Sequence, residues 1–570
     1  MILLRLIGLF FDLLLAPLRL LTRPRAVPDG AFLVMTIDGP VVDIAPRRRF
    51  FELGPVKTTS LHSLAELVDF ALADKRIRGV VVTMKELGAG LATATSLRDQ
   101  LGRLRTAGKE VVVHLPMGGG TKEIYVASVA TKLLLAPATT LVPVGFLSAT
   151  RYFKRALDKV GVEPEVFACG DFKSAGETLV RDSMSDGQRF QLEKLLTTFH
   201  DAVVKAVAEG RNVSVERAAA MIDGAPYSPD AAVEAGLADG IAYEDEVPKA
   251  IGLTDEKGKA KRLLLPASAY RAFMKRPLFR RLRRPPRIAV IPVHGTIAHA
   301  AGPFGSFSTD ERVTRLVRAA RADRRVVGVV LHVDSPGGSA LASDRMHHEI
   351  VQLAREKPLV ACMGNVAASG GYYVAAPARL IVCEPTTITG SIGVVAARVS
   401  LEPLLAKIGI TTETIRRGEH AGLLGGSTPL TESERTAFKR ELDAMYRTFV
   451  RVVAEGRKKT TDVIEPLARG RVYAGDEARE LDLVDKVGGF ATALAELRAM
   501  LPEAHRRAEP DVLKVPRRPM PIVDPPSKGD AGRKAAHALL DALLPAPERA
   551  MVLLAATGER VLALFTGSIE

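Results

Sequence analysis

The chain has no Trp, only 5% aromatic residues and just three cysteines among its 570 residues. The odd cysteine count, with Cys169, Cys362 and Cys383 each set in an apolar strand-like run, excludes a disulfide scaffold and a four-cysteine zinc site. Also missing is a clean membrane span. Residues 2–22, ILLRLIGLFFDLLLAPLRLLT, are long enough, but Arg5, Asp12 and Arg19 recur every seven residues and form one polar stripe on a helix. That pattern reads as an uncleaved amphipathic or bundle-forming anchor over 1–26, and it leaves open whether the helix spans the bilayer or lies on it. No nucleic-acid motif accompanies the net charge of +14. Its densest part, KRPLFRRLRRPPR at 275–287, reads first as a solvated basic linker and next as a contact for phospholipid headgroups. Disorder is excluded for most of the chain by 47% hydrophobic residues and a mean hydropathy of +0.11.

What the chain does have is a second copy of itself. Tyr125 to Gly170 lies over Tyr373 to Gly418 at a constant offset of 248, with Pro137 on Pro385, Gly145 on Gly393 and Gly161 on Gly409. Upstream, Asp74 and Gly79 match Asp323 and Gly328. Downstream, AEGR at 208–211 returns at 454–457. A period above 200 residues makes each copy a domain rather than a solenoid turn.

Each copy alternates apolar β-branched runs, RGVVVTM (78–84) and VVGVVLHVD (326–334) among them, with stretches of helical period. This predicts an α/β class with mostly parallel sheets buried on both faces. The expected organisation is an anchor (1–26), a first repeat (27–250), a basic linker (251–287), a second repeat (288–500), a Pro-rich linker (501–530) and a helical tail (531–570).

The chemistry lies where the copies differ. In the second, Asp334-Ser335-Pro336-Gly337-Gly338-Ser339 follows a buried strand, and its glycines can turn the backbone and present N–H groups to an oxyanion. The first copy has Lys85-Glu86-Leu87-Gly88-Ala89 there. Next, AASGG at 367–371 sets Ser369 at a strand-to-helix corner, where a hydroxyl can be approached and Gly370 can offer its N–H. Its counterpart is Thr121. The second copy has no obvious base beside this serine. The first supplies Lys173, in GDFKSAGE, whose counterpart is Ala421. Complementary loss of this kind marks two repeats that share one site. A lysine serves there only if burial brings its pKa from ~10.4 towards neutrality.

SPGG at 335–338, AASGGYY at 367–373, TGSIG at 389–393 and GDFKSAGE at 170–177 together resemble the long, tandem-repeat form of the signal peptide peptidase A (protease IV) family. The resemblance covers roughly residues 30–500. It implies two ClpP/crotonase-like domains and a serine peptidase with Ser369 as nucleophile and Lys173 as general base. It further implies oxyanion donors at Gly338, or its neighbour Gly337, and Gly370, with Ser391 orienting the lysine. No metal or organic cofactor is required. The expected partners are released signal peptides and other apolar peptides, a lipid bilayer and further copies in a homotetramer, with no nucleic acid. The implied location is the bacterial inner membrane, with the catalytic domains periplasmic.

Three other chemistries compete with this one. His332 and Asp334 alternate onto one strand face and invite a Ser-His-Asp reading. His347-His348-Glu349 is not a metal motif, since adjacent helical residues diverge by about 100°. Cys362, in an apolar strand with no positive neighbour, is a poor nucleophile. A catalytically silent membrane scaffold on the same fold, or an acyl-CoA-processing relative, is the competing function.

Overall fold

The computed structural model describes residues 27–45, 58–253, 262–275, 285–300, 306–423, 425, 428–514 and the backbone of 562–564. The expected anchor over 1–26 lies outside these residues. No described helix is long and apolar enough to cross a membrane.

The first repeat is built on a parallel sheet. Its central strands are β1 (Ala31–Val42), β2 (Ile77–Gly88), β3 (Glu110–Leu115) and β4 (Lys132–Leu135), in that spatial order. Val80, Val82, Val111 and Val113 pack in one core on one face of the sheet, while Val81 and Val112 sit in a second core on the other. Burial on both faces is why these strands read as unbroken apolar runs. Helix α1 (Leu91–Thr106) follows β2 and covers one face. Beyond it come strand β5 (Glu163–Cys169), helix α2 (Lys154–Val160) just before that strand, and the long helix α3 (Asp186–Arg211).

The stretch expected as a linker is partly structured. Strand β6 (Leu264–Pro266) joins the free edge of β1 in parallel, and the helix Ala267–Met274 packs behind it, with Tyr270 reaching Asp74 at 3.1 Å. An edge strand left open at β1 exposes unpaired N–H and C=O groups, and β6 satisfies them. Residues 276–284, most of the basic run, lie outside the described residues.

The second repeat reproduces the plan with β7 (Arg287–His294), β8 (Val326–Ser335), β9 (Gly337–Ser339), β10 (Leu359–Ala368), β11 (Ile388–Gly390), β12 (Val394–Ser400) and β13 (Val472–Ala474). Its helices are α4 (Ala340–Glu356), α5 (Gly370–Ala375), α6 (Glu402–Lys407) and α7 (Glu432–Arg457). The copies agree in small details. Both first strands slip by one residue against their neighbour at the same place, between Ala31 and Phe32 and between Arg287 and Ile288. Asp74 pairs with Arg76 at 2.8 Å, as Asp323 does with Arg325 at 2.7 Å. Lys109 Nζ donates to the carbonyls of Asp74 and Ile77, and Lys357 to those of Ala320 and Asp323.

The repeats are joined by more than chain connectivity. Strand β5 of the first runs antiparallel to β12 of the second, from Val394 opposite Cys169 to Ser400 opposite Glu163. Phe167 of β5 is buried under α7, its ring 4.9 Å from that of Phe438. Asn365 of the second repeat accepts from the Thr93 N–H of the first at 3.1 Å. The one described part of the expected helical tail, β14 (Leu562–Leu564), is a strand instead. It lies between β9 and β12, where two open edges offer it backbone partners on both sides.

Candidate active site

Ser369 directly follows β10 and caps α5 with φ 54° and ψ −119°. A β-strand entering a helix without a loop must turn in one residue, and that turn puts Ser369 in a region L-residues seldom occupy. The strain is held by its own N–H, which donates to Gly390 O at 2.8 Å, and by the Tyr373 N–H, which donates to Ser369 O at 2.9 Å. Such over-determined outliers cluster at functional sites.

Strand β5 delivers Lys173 from the other repeat. Its Nζ lies 2.9 Å from Ser369 Oγ, 3.0 Å from Ser391 Oγ and 3.1 Å from the Ser391 carbonyl. Lys173 is buried, and burial lowers its ammonium to about 7. An amine at that value is substantially neutral near pH 7, so its lone pair can accept the Ser369 proton while an N–H donates to the Ser391 carbonyl.

The SPGG turn faces the same corner. Gly338 has φ +150°, and a Cβ there would come within 2.0 Å of the Ile297 carbonyl, so only glycine fits. A Cβ on Gly370 would lie 3.4 Å from the Gly338 N, which puts the two backbones side by side next to Ser369. Gly337 is a correction: its N–H donates to Ser335 Oγ at 3.1 Å and is not free for an oxyanion. Ser335 Oγ in turn donates to the Gly295 carbonyl, which ties the turn to the end of β7.

Other residues shape the site without a signal strong enough to single them out in the sequence. Gly470, at φ +78°, lies directly beneath Lys173; a Cβ there would meet Lys173 Cβ at 2.5 Å. Its N–H donates to Ile392 O, and the Ser391 N–H donates to Arg471 O. Gln191 of α3, buried, donates to the Phe172 carbonyl at 3.0 Å and accepts from the Val472 N–H at 3.2 Å, which clamps the lysine loop to β13. Arg471 lies over the rings of Phe172, Phe190 and Tyr473. The one sequence cue for this loop is that Gly470 and Tyr473 repeat Gly224 and Tyr227.

His332 is engaged on both ring nitrogens, by His294 at 2.6 Å and Asp43 at 2.7 Å, and Asp334 accepts from the Val366 N–H, so neither serves Ser369. Burial pushes the Cys362 thiol up, which leaves it unreactive. His347 packs edge-on against Tyr373.

Beside the serine, β14 runs antiparallel to β9, with Gly338 opposite Ala563 and Ser339 opposite Leu562. On its other side Leu562 pairs with Val395 of β12. The channel between the SPGG strand and β12 therefore accepts an extended chain.

Known proteins share the duplicated build. The profile of peptidase family S49 matches residues 103–255 and again 351–502, one match in each repeat. The chain is 34% identical over 484 residues to the chloroplastic serine protease SPPA of Arabidopsis thaliana, covering 84% of this chain and 70% of that protein. It is 30% identical over 507 residues to protease 4 of Salmonella typhi, covering 86% and 80%. A putative signal peptide peptidase SppA of Enterococcus faecium is 34% identical over 218 residues, 37% of this chain and 63% of that one. Fold, duplication and relatives together define a serine peptidase of tandem-repeat build. The chain belongs to peptidase family S49.

Proposed function

We propose that the chain is a membrane-associated Ser-Lys endopeptidase that degrades released signal peptides and other apolar peptides through an acyl-enzyme. The observation that carries this reading is a buried lysine, lowered to about 7, within 2.9 Å of a strained serine from the other repeat. Neutral Lys173 takes the Ser369 proton as Oγ attacks the scissile carbonyl. The N–H groups of Gly338 and Gly370 stabilise the oxyanion, and Ser391 holds the amine in line. Protonated Lys173 then gives its proton to the leaving amine. In deacylation it takes a proton from water, and Ser369 Oγ recovers one as the acyl product leaves. No step calls for a metal or organic cofactor.

The substrate binds as a strand antiparallel to β9, in the channel that β14 enters. Main-chain pairing there reads extension rather than sequence, which suits a peptidase acting on varied apolar segments. In this reading residues 1–26 anchor the protein at a bacterial inner membrane, the catalytic repeats lie on the periplasmic side, and the chain assembles as a homotetramer. The test is hydrolysis of a fluorogenic apolar peptide by detergent-solubilised protein. Ser369→Ala and Lys173→Ala should each lose at least about a thousandfold in kcat/KM with folding unchanged. Full activity without Lys173, or silence of the unaltered protein across an apolar peptide library, contradicts the proposal.

A further inference from the structure

The strand that leads to Ser369 breaks register shortly before it. Val333 of β8 stands opposite Met363 of β10, and Ser335 stands opposite Ala367. Three residues of β10, Gly364, Asn365 and Val366, therefore face the single Asp334. Two extra residues preserve the alternation of the strand, so Ala367 keeps its face while the ladder jumps. The other side of β10 changes at the same place. Val360 to Cys362 pair with the strand Leu380–Cys383, whereas Val366 to Ala368 pair with β11. The height of Ser369 beside the SPGG turn is thus set by three bulged residues and not by the root of the sheet.

Two side chains fix the bulge. Asp334 holds it from β8: its carboxylate accepts from the Val366 N–H at 3.0 Å, and a Cβ on Gly364 would lie 2.9 Å from the Asp334 Cβ, an approach that only glycine permits. Asn365 reaches across to the first repeat. Its Oδ1 accepts from the Thr93 N–H at 3.1 Å, and its Nδ2 donates to the Thr93 hydroxyl at 3.0 Å. Thr93 is the third residue of α1, whose own N-cap, Gly90, has no side chain to offer. Asn365 therefore caps α1 from the other repeat, satisfying a helix N–H that would otherwise lack a partner. A Cβ on Gly90 would come within 2.3 Å of Asn365 Oδ1, so the missing side chain is also what makes room for the cap.

The two copies handle this place differently. The counterpart helix α4 caps itself: Ser339 stands where Gly90 stands, and its Oγ accepts from the Ala342 N–H at 3.2 Å. The first repeat has Lys85 in place of Asp334 and Met117 in place of Asn365, and its β2–β3 ladder shows no shift. The bulge and its two holders are thus lost together with the serine and the glycine turn, while features that hold the sheet are kept in both copies.

We propose that Asn365 is a positioning residue for Ser369: docked on α1 of the first repeat, it fixes the bulge that sets the serine's height against the Gly338 amide. The inference rests on the Ser-Lys reading above. Ser369 keeps its tie to Lys173 through β11, because its N–H donates to Gly390 O and the lysine is held by the next residue, Ser391. Loosening the bulge therefore misaligns the attacking oxygen and the oxyanion donor while the base stays in place.

The test measures, in the full-length protein, steady-state cleavage of the apolar peptide and the rate of reaction with a fluorophosphonate across pH. Asn365→Ala should lower kcat roughly ten- to a hundredfold with KM within about twofold, and lower the melting temperature by roughly 2–4 °C through the lost cap. The fluorophosphonate rate should fall by a similar factor at every pH, with its limb still at about 7. Adding Gly90→Ser to Asn365→Ala installs the cap that Ser339 already provides in the second repeat. This double variant should regain the melting temperature and keep the low kcat. Recovery of kcat along with the melting temperature would make Asn365 a helix cap alone and overturn the proposal, as would a displaced limb in Asn365→Ala. Thr93→Val is nearly isosteric, removes only the hydroxyl that receives Nδ2, and should lower kcat several-fold in the same way. A kcat within about twofold of the unaltered protein in both Asn365→Ala and Thr93→Val contradicts the positioning role alone. An unaltered protein silent towards both the peptide and the fluorophosphonate removes the Ser-Lys reading and this role with it.

Discussion

The two repeats share a backbone and diverge at one corner. In the second, Ser369 Oγ faces an amine 2.9 Å away. In the first, the counterpart Thr121 is folded back on its own repeat: Thr121 Oγ1 donates to the Gly145 carbonyl at 3.1 Å and accepts from the Gly145 N–H at 3.0 Å. Pro143 stands where Ser391 orients the lysine, and Lys85 to Ala89 stand where the second copy has its glycine turn. The strand slip, the Asp-Arg pair and the Lys109 and Lys357 clamps survive in both, because they hold the sheet. Duplication thus kept what folds and divided what reacts. Ser369 and Lys173 come together only where β5 of one repeat meets β12 of the other.

The largest expected effect probes that division directly. Lys173→Ala should cost at least about a thousandfold in kcat/KM, whereas Thr121→Ala, at the counterpart corner, should change it by less than about twofold. Comparable losses at both corners would mean the first repeat is not silent. Next is Ser391→Ala, which leaves the amine only the residue-391 carbonyl and Ser369 Oγ as partners. A loss of roughly ten- to a hundredfold in kcat with little change in KM is expected, read by steady-state kinetics, because a positioning group acts on the chemical step. An effect confined to KM would assign Ser391 to substrate binding.

A smaller effect concerns the tail. Because β14 lies in the channel beside Ser369, removing residues 515–570 should lower KM for a short apolar peptide several-fold and leave kcat within about twofold. A rise in KM would instead make the tail part of the substrate site.

The smallest effect is at the seam between repeats. Glu384 is buried and accepts from Ser96 of the first repeat, and burial pushes its carboxyl up to about 8. The folded protein therefore holds a proton that the unfolded chain releases above roughly pH 4.3. This stabilisation is complete below that value and is lost as the pH rises to about 8. Glu384→Gln should flatten the fall in melting temperature across that window and raise it by roughly 2–4 °C at pH 8, measured calorimetrically. An unaltered slope would show that Glu384 is ionised in the fold.

Much of this was legible in the residues themselves. The offset of 248 placed the repeats, and the reciprocal absence of Ser and Lys pointed to Ser369 and Lys173 before any geometry. Gln191, Gly470 and Arg471 were not legible, because what they do depends on how one repeat docks on the other, and no local pattern encodes that docking. Strand β6 was hidden for a related reason: three residues beside a basic run read as linker, and only the open edge of β1 makes them a strand. The Gly337 amide looked available from its motif, and the neighbouring Ser335 hydroxyl claims it.

The most direct test of the shared site is the rate at which a fluorophosphonate acylates Ser369 as a function of pH, in the unaltered protein and in Lys173→Ala. The amine must be neutral to accept the serine proton, so the rate in the unaltered protein should fall as the pH drops through about 7 and level off above it. Lys173→Ala should react at least about a hundredfold more slowly, with that limb gone. A variant that keeps both the rate and the limb near 7 would show that another group activates Ser369.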